Sequence, residues 1–142
     1  MLFPKCFSFV LLAVMSALLI IGFDWLLPSN AQSVSCGVVQ VQTQDQCDAA
    51  NAFLAVANHA GDPVPTTIAY AAAIDGYALL DWRTGETGGQ AILKQDGAWK
   101  VVRGVGGAFD SAAMLMRFGV PAKTAQALWT QRSTDLGLAP AP

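Results

Sequence analysis

Charge is scarce in this chain. Ten acids and eight bases make up only 13% of 142 residues and leave a net charge of −2. No Lys/Arg cluster occurs anywhere, so the chain has no electrostatic footprint for nucleic acid. Histidine occurs once, as His59, which excludes a metal site built from several imidazoles. Cysteine occurs three times. Cys36 and Cys47 are separated by ten residues, which is not a standard thiolate–metal spacing. Gly104-Val105-Gly106-Gly107 lacks the Gly-Lys-Ser/Thr ending of a Walker loop. It reads instead as a strand-to-helix corner. Ser111 has no nucleophile motif around it. No internal repeat and no second folded domain are visible.

What the chain does have is an apolar N-terminal run. From Phe7 to Phe23, 17 residues pass without a charge, preceded by Lys5. A basic start, an apolar core and the small residues of Ser29-Asn30-Ala31 read as a secretory signal over residues 1–31, cut after Ala31. The alternative is an uncleaved anchor, for which the run is slightly short of the about 20 apolar residues of a span. The mature chain then starts at Gln32, in a periplasmic or secreted setting. There the remaining Cys36 and Cys47 read as a disulfide. Closing so short a loop contributes about 3 kcal/mol in the chain-entropy model.

Periodicity divides the rest into a single α+β domain over residues 32–136 and a flexible tail, 137–142. Residues 32–43 read as a short strand or an extended lead-in. Asp45 to Ala60 reads as a helix with Ala49, Phe53, Val56 and Ala60 on one stripe. Thr43 and Gln46 have capping-box spacing. Gly61 and Pro63 then end it. Four strands are expected, near 67–74, 77–82, 90–94 and 99–105. Asp75-Gly76 and Asp96-Gly97 are hairpin dipeptides suited to type I′ turns. The stretch from Tyr77 to Val105 organises the domain, and Gly85, Gly88 and Gly89 crowd its middle turn. Strict alternation puts Ile68, Tyr70, Ala72 and Ile74 on one face, and Trp99, Val101, Arg103 and Val105 on one face. One face of the sheet then buries a core and the other is mixed. Asp110 or Ser111 caps a helix from Ala112 to Phe118, ended by Gly119. Pro121 opens a last helix to about Arg132, with Ala125, Leu128 and Trp129 inward. The expected architecture is one helix packed on a four-stranded antiparallel meander, in a cystatin- or NTF2-like layout, followed by two short helices.

Most polar residues have structural explanations. Asp75 and Asp96 belong to turns, Asp45 and Asp48 to a first helical turn, and His59 to a helix C-terminus. Met114 and Met116, two apart, do not share a helix face. Asp81 is different, because it ends a half-buried stripe inside a strand. Its expected partner is Arg83 or Arg103. Asp81, Arg83, Glu86 and Arg103 are therefore the candidate binding residues. An acid or base role in a pocket on the concave face is the alternative to a paired structural carboxylate.

The central motif carries a resemblance. Trp82, Gly85-Glu86, Gly88-Gly89-Gln90-Ala91, Leu93, Gly97, Trp99 and Val101, then Gly106-Gly107 and Gly119-Val120-Pro121, keep the order found in small exported bacterial proteins of unknown function. Some proteins similar to these are named copper-uptake-system-associated protein. Those often hold a Cys just before the glycine pair, where this chain has Arg103-Gly104-Val105. The resemblance implies export and the turn positions, and it supplies no catalytic residue. The function expected is an exported binding or accessory module without catalytic activity or cofactor, linked to metal uptake only through a partner. Its counterpart is an unidentified protein or small ligand, with the membrane touched only by the N-terminal segment. The alternatives are an enzyme or small-ligand carrier around Asp81, Glu86 and Arg103, and a membrane-tethered interaction domain.

Overall fold

The structure is a computed structural model that describes residues 43–138 and the backbone of two short strands, β1 (Val34–Ser35) and β2 (Gln40–Val41). These two pair antiparallel, Val34 opposite Val41. The expected signal segment, Cys36 and the end of the tail lie outside the described residues.

Helix α1 (Gln44–Ala57) starts where the capping box places it. Gln46 N–H donates to Thr43 Oγ1 at 3.3 Å, and Thr43 N–H donates back to Gln46 Oε1 at 3.1 Å. It ends three residues earlier than the alanine pattern suggests. Asn58 turns extended, and its amide makes two bonds with the backbone of Thr66, 2.6 and 3.1 Å long. That side chain occupies the start of the next strand as a pairing strand would, and the helix cannot continue past it. His59 therefore lies beyond the helix rather than in its last turn, exposed, with its N–H on Asp62 Oδ2 at 2.6 Å.

Four strands follow as an antiparallel meander in sequence order: β3 (Thr66–Ile74), β4 (Tyr77–Thr84), β5 (Thr87–Asp96) and β6 (Ala98–Gly106). Asp75 (φ 50°) and Gly76 (φ 73°) are both left-handed, which makes the first hairpin type I′. At the second, Gly85 alone is left-handed (φ 60°) and Glu86 is not, the pattern of type II′. The third departs from the type I′ expectation. Asp96 pairs with Ala98 and only Gly97 between them has positive φ, 69°.

The sheet is covered on both faces. On one, α1 buries Ala49, Ala50 and Phe53 against Ile68, Ala71, Ala78, Leu80, Ala91 and Leu93. On the other, α2 (Ala112–Arg117) and α3 (Ala122–Asp135) bury Leu115, Ala125 and Leu128 against Tyr70, Ala72, Leu79 and Ile92. The expectation of one buried and one mixed face is corrected here. Ala78, Leu79 and Leu80 are consecutive and all fully buried, as a strand covered on both sides must be. Each such leucine contributes roughly 1.5–3 kcal/mol by leaving water. Ser111, not Asp110, is the N-cap of α2, and its hydroxyl donates to Asp110 Oδ1 instead of capping.

Two bulges overturn the simple alternation. In β3, Ile68 pairs with Trp82 and Tyr70 with Asp81, leaving Ala69 unpaired. In β6, Val101 pairs with Leu93 and Arg103 with Ile92, leaving Val102 unpaired. An extra residue reverses the facing of everything beyond it. Ile68, Trp99 and Val101 therefore face α1, whereas Tyr70, Ala72, Ile74 and Val105 face α2 and α3. Trp82 stacks on Phe53 with centroids 6.3 Å apart. Among the described residues, the buried indole N–H groups of Trp82 and Trp99 have no hydrogen-bond partner. Among the described residues no helix is long and apolar enough to cross a membrane.

Gly89 is required by close approach. A Cβ built there would meet the Val105 carbonyl oxygen and, at 2.6 Å, the Trp82 ring. Gly104 has no such neighbour within 4 Å. Gly89→Ala is expected to lower unfolding stability by about 3 kcal/mol through overpacking, and Gly104→Ala to change it by less than about 1 kcal/mol. Denaturant titration of both variants checks this, and equal effects would contradict it.

Candidate functional site

The register of the meander sets three polar residues in a row across the sheet. Tyr70 of β3 is opposite Asp81 of β4, and Asp81 is opposite Gln90 of β5. The bulge at Ala69 is what brings Tyr70 to this face. Above the row runs the last part of α3. Arg132 and Asp135 lie three residues apart on it and so share a helix face.

Two crossed pairs join the layers. Arg132 reaches Asp81 through Nε, 3.1 Å from Oδ1 and 3.0 Å from Oδ2, and through Nη2, 2.9 Å from Oδ2. Gln90 Nε2 donates to Asp81 Oδ1 at 2.7 Å. Tyr70 O–H donates to Asp135 Oδ2 at 3.0 Å. Three N–H protons thus converge on the Asp81 carboxylate, the Nε proton being shared between both oxygens, and occupy most of an ionised carboxylate's acceptor positions. The other end of Gln90 is also used, since Phe109 N–H donates to Oε1 at 2.6 Å. A carboxylate on one side and an N–H on the other fix the amide's orientation. The row therefore holds both α3 and the segment between β6 and α2 on the sheet.

The pair is partly buried, with 13% of the Arg132 side chain and 17% of the Asp81 side chain exposed. The Arg132 guanidinium also lies 5.8 Å from the centre of the Trp129 ring. Burial, then the hydrogen bond to Asp135 and the charges of Asp135 and Asp81, hold the Tyr70 phenol well above its ordinary value. Arg132 opposes that shift without cancelling it.

Beside the row is an open recess of about 390 Å³. Asp81, Gln90 and Arg132 form one wall, Arg83 stands at its side, and Gly88, Gly89 and Gly107 leave its floor without side chains. Gly107 N–H donates to the Gly88 carbonyl at 3.0 Å, which ties that floor together. Arg83 is opposite Gly88, and its Cγ lies 3.5 Å from where a Cβ at Gly88 would be.

Of the four residues expected from sequence, Asp81 and Arg83 line this recess. Glu86 is exposed at the β4–β5 turn. Arg103 is exposed on β6, 5.7 Å from the Phe118 ring centre, and does not border the recess. The partner of Asp81 is Arg132 rather than Arg83 or Arg103. Sequence reasoning missed Tyr70, Gln90, Phe109, Arg132 and Asp135. One signal was available. Arg132 continues the stripe of Ala125 and Leu128, and a cation on an apolar stripe needs a buried anion. Among the described residues, no group of three His, Cys, Asp or Glu side chains is arranged to hold a metal ion.

The raised phenol sets an alkaline limit. Unfolded tyrosine ionises near pH 10, whereas folded Tyr70 stays protonated beyond that point. Its contribution is complete below about pH 10 and is lost as pH rises from there through the folded value. Stability measured by urea unfolding is expected to fall more steeply from about pH 10 upward in the wild type than in Tyr70→Phe. Identical slopes would contradict the assignment.

Comparison with family models, curated proteins and solved structures returned no match. The functional reading therefore rests on this geometry and on the motif resemblance.

Proposed function

We propose that the chain is an exported binding module without catalytic activity, and that the recess beside Asp81 is its ligand seat. One observation carries the reading. Among the described residues, the one carboxylate bordering the recess is already engaged by three N–H protons of Arg132 and Gln90. A general base must offer a lone pair within reach of the substrate proton, and a general acid must offer its own proton. Asp81 carries no proton to give in this ion pair, and while its clamp is closed its oxygens are spent chiefly on Arg132 and Gln90. What remains beside it is open volume of a size usual for small-molecule sites.

The exported setting follows from the N-terminal run and the resemblance. The Cys36–Cys47 disulfide belongs to the same reading. Cys47 is buried on α1, and β1, which directly precedes Cys36 in the chain, lies against that helix. The link to copper uptake that the resemblance implies is assigned to a partner protein.

Native mass spectrometry of the exported protein, exposed to a metabolite extract, tests the reading. The expected chain begins at Gln32, is two hydrogen atoms lighter than the dithiol, and carries a small molecule whose mass and total amount stay constant with time. A chain beginning at Met1, no bound compound, or steady conversion of a bound compound would contradict it.

A further inference from the structure

We propose that the recess takes a small monocarboxylate, held between the Arg83 and Arg132 guanidinium groups above the Gly88–Gly89 floor. This rests on the recess being a ligand seat and goes further by naming what sits in it.

The charges at the wall decide the class. Asp81, Arg83 and Arg132 are the ionised residues bordering the recess, so one positive charge is in excess. Asp81 already accepts three N–H protons. Gln90 has its carbonyl on Phe109 N–H and a proton of its amide on Asp81. Arg132 spends Nε and Nη2 on Asp81, and its Nη1 makes no hydrogen bond among the described residues. Arg83 has no hydrogen bond or ion pair through its guanidinium among them. The side chains at the wall therefore offer unspent cationic donors beside a carboxylate already paired with Arg132. Such a surface selects a ligand that accepts and is negative.

Charge balance then separates one anion from another. A monoanion cancels the single excess charge. A dianion meets the fixed Asp81 carboxylate in the same wall, and like charges repel most where water is partly excluded. Shape points the same way. A guanidinium presents its N–H groups in a planar fork that matches the two oxygens of a carboxylate. Gly88, Gly89 and Gly107 bring backbone rather than side chains to the recess.

The test is a titration of the full exported chain, followed by backbone amide NMR shifts, with sodium benzoate, sodium acetate and inorganic phosphate in separate arms. Benzoate is expected to give saturable shifts at Gly88, Gly89 and Gly107. Its affinity is expected to fall about tenfold in Arg83→Gln, the scale of one charge-assisted hydrogen bond, and less in Arg83→Lys. Arg83 is exposed, so both variants should keep the wild-type melting temperature, which is measured alongside. Phosphate binding more tightly than either carboxylate would overturn the carboxylate assignment. So would benzoate shifts elsewhere, unchanged affinity in Arg83→Gln, or no saturable shift with any probe. If metabolites bind the recess in the mass experiment while these probes do not, the binding module stands and this assignment falls.

Discussion

Asp81 and Arg132 join the middle of the sheet to the last helix. The carboxylate stands on the second strand of the meander and the guanidinium on the last helix, 51 residues further along. Neither charge could stay in a partly dry interlayer alone. Removing one partner of a buried pair leaves an uncompensated charge, at a cost of roughly 3–5 kcal/mol when burial is complete. Partial exposure reduces that figure here. The consequence is positional as much as energetic. Leu128 and Ala125 enter the sheet at one register of α3, and Arg132 meets Asp81 only in that register.

The pair depends in turn on an irregularity. Without the bulge at Ala69, Tyr70 would face α1 with Ile68, and the row Tyr70–Asp81–Gln90 would lose its first member. The matching bulge at Val102 lets β6 serve both layers, with Trp99 and Val101 on the α1 side and Val105 on the side of α2 and α3. Both bulges lie on edge strands, where an unpaired residue disrupts one ladder rather than two. They let a sheet of four strands supply two cores. A cost remains on the α1 side, where two buried indole N–H groups have no acceptor among the described residues. Each such group costs about 1–3 kcal/mol, set against the area that the rings bury.

Much of the fold was legible because its signals are local. The capping box at Thr43 and Gln46, the Asp75-Gly76 turn and the Gly119-Pro121 break each depend on residues a few positions apart. The helix–meander–helices order follows from them. The bulges were not legible, because apolar alternation continues through Ile68, Tyr70 and Ala72 whether or not a residue is skipped. The second covered face was hidden for a related reason. Ala78-Leu79-Leu80 is too short a run to separate a strand buried on both sides from one buried on one. At the site, Asp81 stood out as a carboxylate inside a strand, and Arg83 was visible as its neighbour. Arg132 was not tied to Asp81, since nothing local links a helix residue to a strand 51 positions away.

The claim at the centre of this account is that Asp81 serves Arg132, not a substrate. A double-mutant cycle on unfolding free energy tests it most directly, using Asp81→Asn, Arg132→Met and the pair together. The account predicts that the double variant loses less than the sum of the singles, with a coupling of about 2 kcal/mol, within the range found for residues in contact. Additive losses would mean that the two side chains do not support one another, and would return Asp81 to the list of groups free to act on a ligand.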